Sequence, residues 1–564
     1  MNSIFEKVRE QIDRTVRNGF IKLEKEGKIP SAQWPEIAIE VPRERGFGDF
    51  STNVAMQAAK LTRLPPRKNA ELLMGAMDFS DTYIEKAECA GPGFLNFYLR
   101  TDWLYDALVL IREKKERYGE VNVGQGKKVN VEFVSANPTG PLHMGNARGG
   151  ALGDCLASVL DKAGYEVTRE FYINDAGNQI EKFGLSLEAR YLQHYKGEEQ
   201  VPFPEDGYHG EDIMEHARAF AEKFGEGLLN VSSEERRKAL VDYALPVNLA
   251  RIREILASYG IRYDVWFSEK SLHESGEVDK AVAYLTREGY TIEKEGAIWL
   301  SGEKLGLEKD EVLVRNNGVP TYMAADIAYH RNKFITRGFD WAIDLWGADH
   351  HGHVARMKSA MEPFGVTKDR FEVVLFQLVR LYRNGEIARM SKRTGKAISL
   401  GDLLEEVGKD AARFIFNLKT SGSHLDFDLD LAVSQSNDNP VFYVQYAHAR
   451  ISSIIRRLSE EGVTLSEDKP LNFSLLKAPE EIELLRKLAE YPEEVALSAK
   501  TLEPSRITRY VMDVAASFHS FYNACRVRGE EESLMLARLA LVDSTRTVIR
   551  NVLDLIRINA PERM

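Results

Sequence analysis

Two segments of the chain combine residue types that suit phosphate binding. In the first, His143, Gly145 and Asn146 stand at the start of a helical pattern, which follows a short apolar run over 128–134 and a loop over 135–142. A helix N-terminus presents unpaired N–H groups and the positive end of the helix dipole, so it attracts anions. His143 and Asn146 add side-chain donors, and Gly145 leaves room for a ligand to approach the backbone. The alternative interpretation, a helix start with a capping role only, is the more common one for such a motif standing alone.

The second segment is rich in cations and contains Met390, Ser391 and Lys392, inside a loop near 389–396. Lys392 could reach the outer phosphates of a nucleotide and stabilise charge on a leaving pyrophosphate. The alternative is a solvated basic loop. The chain has no P-loop and no GxGxxG after a strand, so a bound nucleotide would have to be held by other segments, such as these two.

The elements around these residues predict a parallel sheet. An apolar strand over 128–134, a helix over 143–163 and a strand over 165–173 form a βαβ unit. Alternation over 312–315 and 342–346 predicts further strands of the same sheet, and 180–260 is interpreted as a helical insertion. From 438 onward, apolar residues recur at helical spacing.

The predicted fold class is therefore α/β: a Rossmann-like parallel-sheet catalytic domain with an α+β N-terminal domain and an all-α C-terminal helical domain. We place the domains at 1–120, 121–437 and 438–564.

Composition excludes several classes of protein. The 564 residues are 44% hydrophobic and carry a formal charge of −11, which argues against a disordered chain and against a cationic coat for DNA. The three cysteines, Cys89, Cys155 and Cys525, form no CxxC pair, and no metal-ligating set is predicted. The first residues lack the apolar core of a signal peptide, and no stretch of 18 apolar residues occurs. We expect a cytoplasmic protein without a membrane partner.

The two phosphate-binding segments together resemble the paired signature of class I aminoacyl-tRNA synthetases. The surrounding sequence is similar to the arginyl-tRNA synthetases of bacterial type, at 131–143, 171–179 and 347–353 in the middle of the chain. The segments 48–53, 444–450 and 560–564 extend this resemblance to both ends. The resemblance implies ATP with Mg²⁺ as a substrate, L-arginine and arginine tRNA as partners, tRNA binding before arginine is activated, and a monomer.

The resemblance also implies the site residues. The arginine-binding residues are expected to be Glu132, Ser135, Asn137, His143, Tyr322, Asp326 and His350. The ATP-binding residues are expected to be Pro138, His143, Gly145, Asn146, Met390, Ser391 and Lys392, of which His143, Gly145, Asn146 and Lys392 are the catalytic ones. Carboxylates suit this assignment because a guanidinium offers five donors in a planar fork. Asn146 stands where the class usually has His, and His350 stands where some members of the family have Gln.

The same resemblance implies that the C-terminal domain binds the anticodon and the N-terminal domain reaches the tRNA elbow. Tyr446, His448 and Arg450 are the predicted tRNA contacts, since single-stranded bases are bound by aromatic and arginine side chains. The alternative is that these aromatic residues belong to a helical core.

Two other functions remain open at this point. One is another class I synthetase or a related small adenylyltransferase, although the latter has no counterpart of the helical region 438–564. The other is a catalytically silent relative that only binds RNA, against which the intact His143, Gly145 and Lys392 argue.

Overall fold

The N-terminal part packs helices against a small antiparallel sheet. The computed structural model describes residues 3–42, 44–388, 398–465 and 471–564. The three strands are paired in the order β1-β3-β2. The elements of this part are α1 (Ile4–Lys25), β1 (Phe50–Thr52), α2 (Val54–Gln57), α3 (Ala59–Thr62), α4 (Pro66–Ala76), β2 (Ile84–Ala90), β3 (Phe94–Leu99) and α5 (Asp102–Lys114).

The middle of the chain contains the predicted parallel sheet. Five strands run parallel in the order β11-β10-β4-β5-β6. The elements are β4 (Lys128–Glu132), α6 (Met144–Lys162), β5 (Glu166–Ile173), α7 (Asn178–Lys196), α8 (Glu211–Phe224), α9 (Ser233–Ser258), β6 (Val265–Ser268), α10 (Glu269–Glu274), α11 (Glu277–Arg287), β7 (Thr291–Lys294), β8 (Ala297–Leu300), α12 (Gly302–Leu305), β9 (Glu311–Val314), α13 (Tyr322–Arg331), β10 (Trp341–Gly347), α14 (His351–Met361), β11 (Phe371–Phe376), β12 (Val379–Arg383), β13 (Glu386–Ile387), α15 (Leu400–Phe416), β14 (Leu425–Asp428) and α16 (Leu429–Val433). From β4 the chain adds β5 and β6 on one side, and it later adds β10 and β11 on the other side of β4. The strand order therefore reverses at β4. Ligands of open α/β sheets bind at the carboxyl ends of strands at such a reversal.

One strand prediction is wrong. The alternating run at 312–315 corresponds to β9, which pairs with β8 in a separate antiparallel sheet of order β7-β8-β9. Alternation reports that one face of a strand is buried, but it does not identify the partner strand. Farther along the chain, β11 belongs to the parallel sheet, whereas β12, which follows it closely, pairs with β13 and β14 in another small sheet.

The region 180–260 is helical, as expected, and has its own core. Helix α7 packs against both α8 and α9. Their facing side chains form a hydrophobic cluster that includes Phe183, Leu187, Tyr191, Ile213 and Leu240. The three helices are therefore a compact unit attached to the sheet.

Helix α6 lies unusually close to the sheet because of its glycines. A Cβ atom on Gly153 would lie 2.3 Å from Cγ of Phe133, far inside van der Waals contact. Only glycine is compatible with this packing, and the close approach fixes the position of the helix N-terminus near the end of β4.

The C-terminal region is all helical in its described residues. It consists of α17 (Pro440–Glu460), α18 (Pro479–Ala489), α19 (Tyr491–Thr501), α20 (Ser505–Ala524) and α21 (Glu532–Leu555). The segment following α5 is tied to this bundle, since the Tyr118 hydroxyl donates to the Leu488 carbonyl at 3.0 Å and Asn551 Nδ2 donates to the Lys115 carbonyl at 2.8 Å. Among the helices described here, none combines the length and apolarity needed to cross a bilayer.

Candidate active site

The loop that leaves β4 is strained. Val134 and Ser135 have φ angles of 72° and 34°, in the left-handed region that side chains other than glycine rarely adopt. Ser135 Oγ holds this shape by donating to Glu132 Oε1 at 2.8 Å and by accepting from the Tyr172 N–H at 3.1 Å. Backbone strain of this kind is typical of functional sites, where contacts with the surrounding structure maintain the strained conformation.

The predicted motif at the start of α6 is a reciprocal cap. The Gly145 N–H donates to His143 Nδ1 at 3.1 Å, and the His143 N–H donates to Asn146 Oδ1 at 3.0 Å. Desolvation lowers the pKa of His143, which favours the neutral ring at pH 7. Because Nδ1 accepts, the ring proton is on Nε2, and the Asn146 amide is oriented with Nδ2 as its remaining donor. The cap therefore leaves one donor on each side chain for a ligand.

A cavity of about 450 Å³ opens beside this cap. It brings together four predicted site residues, Ser135, Asn137, His143 and Asn146, and its far wall is formed by the insertion residues Tyr208, Gly210 and Asp212. Pro138 is behind the wall, where its carbonyl accepts from Asn248 Nδ2 of α9 at 2.9 Å.

The chain returns to His143 after the cation-rich segment. Ser399 forms an antiparallel bridge with His143, and the Leu400 N–H donates to the Leu142 carbonyl at 2.9 Å. Met390, Ser391 and Lys392 lie outside the described residues.

Helix α13 carries the second group of predicted residues. Tyr322 is half exposed, and a Cβ atom on Gly177 would lie 3.0 Å from its hydroxyl oxygen. Asp326, one turn later, has its Oδ2 at 3.0 Å from His353 Nε2. His350 instead lies in a largely exposed position, 3.6 Å from Asp349. Within the segment 347–353, the contact to a pocket carboxylate is thus made by His353, and the role predicted for His350 stays a prediction.

Glu269 is an acidic residue of the same pocket that the sequence analysis missed. The residue is only 3% exposed. Burial, together with the nearby Asp326 carboxylate, raises the pKa of Glu269 to about 7, while a hydrogen bond from Tyr172 opposes the shift. Glu269 follows β6 directly, just as Glu132 ends β4. A carboxylate at the carboxyl end of an apolar run is the signal that could have identified it.

The Glu132 carboxylate is also buried, and it has a cationic partner. Lys333 Nζ donates to Glu132 Oε2 at 2.6 Å and to Asp344 Oδ1 at 2.7 Å, and the lysine is fully buried. Burial raises the pKa of Tyr172, and the carboxylates of Glu269, Asp326 and Glu132 raise it further, so all three lie near this tyrosine. Glu132 and Glu269 are buried and Asp326 is partly exposed, and such a concentration of negative charge suits a cationic ligand.

The predicted tRNA contacts on α17 differ in exposure. Arg450 lies over the ring of Tyr446, with the guanidinium 4.9 Å from the ring centroid, and over that of Tyr522 at 5.2 Å. Phe442 and His519 stack against Tyr446 as well. We call Phe442, Tyr446, Arg450, His519 and Tyr522 the aromatic cluster.

His448 does not belong to this surface. It is fully buried, and its Nδ1 lies 2.8 Å from the Pro561 carbonyl oxygen. The ring has no exposed face to offer a base, so its burial does not support the prediction that His448 contacts tRNA.

Comparison with known proteins places the whole chain in one family. Residues 6–99 match the model of the arginyl tRNA synthetase N-terminal domain, residues 108–426 the catalytic domain of class I (R) tRNA synthetases, and residues 444–564 the DALR anticodon binding domain. Arginine–tRNA ligases from Acetivibrio thermocellus and Ruminiclostridium cellulolyticum are each 64% identical over the full length of both chains. The solved arginyl-tRNA synthetase of Thermus thermophilus is 25% identical, with a TM-score of 0.73 over 99% of this chain and all of that one. The chain belongs to the arginyl-tRNA synthetase family.

Proposed function

We propose that the protein activates L-arginine with ATP and transfers the arginyl group to the 3′ end of arginine tRNA. In the first step a carboxylate oxygen of arginine attacks the α-phosphorus of ATP, which forms arginyl-adenylate and releases pyrophosphate. In the second step the terminal adenosine hydroxyl of the tRNA attacks the arginyl carbonyl, and AMP leaves. Neither step needs a covalent enzyme intermediate, so catalysis depends on positioning and charge stabilisation.

The observation that carries this proposal is the pair of carboxylates near Tyr172. Burial is the main cause of the raised pKa of Glu269, and the charge of the nearby Asp326 carboxylate raises it further, so the two carboxylates are neighbours. A planar guanidinium between them satisfies both, and the Tyr322 hydroxyl supplies a further acceptor. A lysine ammonium has three donors on a single nitrogen and lacks the planar fork of five, so a lysine substrate would leave acceptors of this pocket unpaired, and arginine is favoured.

The other end of the amino acid must face the ATP site. Glu132, Ser135 and Asn137 belong to the strand end and the loop that lead to His143, and two of them line the cavity that His143 and Asn146 share. We assign the α-ammonium group of arginine to Glu132, with Ser135 and Asn137 beside it. This orientation directs the arginine carboxylate towards the donors of the cap.

The ATP phosphates are assigned to the N-terminus of α6. His143 Nε2 and Asn146 Nδ2 donate to them, Gly145 and Pro138 shape the wall, and Lys392, with Met390 and Ser391, closes over the outer phosphates. In the part of the chain that the structure describes, no group of three or more His, Cys, Asp or Glu side chains is arranged to hold a metal ion. Mg²⁺ is proposed to arrive as part of the ATP substrate, because it binds readily to substrate phosphates.

We further propose the roles of the outer domains. Residues 1–120 contact the tRNA elbow, 121–437 catalyse both steps, and 438–564 bind the anticodon through the aromatic cluster. Its rings and guanidinium suit the stacking of unpaired bases. The protein is proposed to act in the cytoplasm as a monomer, with bound tRNA required for arginine activation.

Replacing Tyr446 by Ala tests the aromatic cluster. We expect the KM for tRNA to rise about tenfold, because stacking on an aromatic side chain contributes about 1–3 kcal/mol per base. The KM for arginine at saturating tRNA should not change. Arg457→Ala is the matched control, since Arg457 is an exposed residue of α17 outside the aromatic cluster. An unchanged KM for tRNA in Tyr446→Ala would remove the cluster from the tRNA interface.

The function itself is tested by the exchange of labelled pyrophosphate into ATP. The purified protein should catalyse this exchange when arginine and tRNA are both present. A protein that binds tRNA but catalyses no exchange would refute the proposed activity.

A further inference from the structure

Three carboxylates lie in a row across the centre of the parallel sheet. Asp344 of β10 is paired in register with Glu132 of β4, and Glu132 is paired with Glu170 of β5. Register partners on adjacent strands direct their side chains to the same face. All three side chains are buried. Buried charges of one sign at this spacing are costly unless cations compensate them.

The cations come from the end of α13. Lys333 lies in a π-helical turn over Asn332–Thr336 that follows this helix, and it is shared between Glu132 and Asp344. Arg337 forms a bidentate pair with Glu170 at the other end of the row. Turns of π-helix are frequent at functional sites because they direct a side chain where a regular α-helix would not.

Lys333 connects the helix at the guanidinium end of the proposed arginine pocket with Glu132 at the α-ammonium end. The helix that carries Tyr322 and Asp326 continues directly into the turn that carries Lys333. Burial raises the pKa of Glu132 and the neighbouring Asp344 carboxylate adds to this shift, whereas Lys333 opposes both. With Oε2 occupied by Lys333 and Oε1 by Ser135, the carboxylate is held in one orientation.

We propose that Lys333 is a positioning residue that holds the ionised Glu132 carboxylate in the orientation that receives the α-ammonium group of the amino acid substrate. The proposal rests on the proposed function and adds a residue to it. Lys333 does not touch the substrate. It acts through Glu132, so its loss should weaken binding of the α-ammonium group and leave the guanidinium contacts intact.

The test compares Asp344→Asn with the double variant Lys333→Met/Asp344→Asn. The single variant keeps Lys333 on Glu132, and the double variant removes one charge of each sign, which limits the cost of an uncompensated buried charge. Relative to the single variant, we expect the KM for arginine to rise about tenfold, because hydrogen bonds to charged groups are strong. The kcat and the KM for ATP should stay within about threefold.

A substrate analogue separates positioning from general damage to the fold. The compound 5-guanidinopentanoate is arginine without its α-amino group, so it keeps the guanidinium contacts and lacks the one assigned to Glu132. Its inhibition constant should be the same in the two variants. Arg337→Met/Glu170→Gln is the matched control, because it breaks the other ion pair of the same row and should leave the KM for arginine unchanged.

Thermal melting decides whether the double variant is folded; if it is not, Lys333→Gln/Asp344→Asn replaces it and should show the same loss to a smaller extent. Equal KM values for arginine in the single and double variants overturn the proposal, as does a parallel loss of affinity for arginine and 5-guanidinopentanoate. The proposed function fails separately, if the unaltered protein shows no arginine-dependent exchange.

Discussion

Replacing Glu269 by Gln is expected to raise the KM for arginine about 100-fold at pH 8, with a much smaller effect on kcat at saturating arginine. The substitution keeps the shape of the side chain and removes one of the two carboxylates assigned to the guanidinium. A hydrogen bond between charged groups contributes about 1.5–3 kcal/mol, which corresponds to about 10- to 150-fold in affinity. The measurement is the arginine dependence of pyrophosphate exchange. Glu274→Gln is the control, because Glu274 is an exposed glutamate at the end of the same short helix.

The same carboxylate predicts a pH dependence. The pKa of Glu269 is raised to about 7 by burial and by the neighbouring Asp326. Below pH 7 the unliganded carboxyl group is protonated, so the KM for arginine should rise about tenfold for each unit of falling pH. Above pH 8 the group is ionised and the KM should level off. Glu269→Gln should abolish this rise of the KM at low pH. If Glu269→Gln keeps the pH profile of the unaltered protein, Glu269 is excluded from the guanidinium site.

Replacing His143 by Asn should slow adenylate formation about 100- to 1000-fold, which is the typical loss when one preorganised donor to a transition state is removed. Asn is among the best N-cap residues, and its side-chain oxygen can replace Nδ1 as the acceptor for the Gly145 N–H. The substitution removes the Nε2 donor of the imidazole. The melting temperature should therefore stay within a few degrees of that of the unaltered protein.

His143→Ala separates the two roles further. It should lose the same rate and, in addition, about 1 kcal/mol of stability through the missing cap. Single-turnover adenylate formation and thermal melting measure the two effects. If His143→Asn forms the adenylate within fivefold of the unaltered rate, His143 is only a cap.

Those parts of the molecule that depend on local pattern were predictable from the sequence. The strand–helix–strand unit of β4, α6 and β5 was expected because apolar runs and small residues follow one another within 45 residues, and its parallel sheet is confirmed. The helical insertion and the helical C-terminal region were predictable for the same reason. The partner of β9 was not, since an alternating strand carries no information about the sheet it joins.

The site shows the same division. Glu132, Ser135, Asn137 and His143 lie within twelve consecutive residues, so one motif contains them, and the structure gathers three of them around a single cavity. Glu269 and Lys333 come from distant elements outside these motifs, and His353 stands in the similar segment 347–353 but was not predicted as a pocket residue. The pairing of β4 with β10 and the packing of α13 against α10 and α14 bring them to the pocket. The burial of His448 could not be predicted from the sequence either, because an aromatic residue on a helix can face either the core or the solvent.

This pocket is expected to select arginine for activation. Pyrophosphate exchange with each of the twenty amino acids, with and without total tRNA, measures that selection. We expect exchange with arginine alone, and only when tRNA is present. Exchange with another amino acid would keep the class I chemistry and contradict the assignment of Glu269 and Asp326. The absence of exchange under every condition, in a protein that still binds tRNA, would identify a catalytically silent RNA-binding relative.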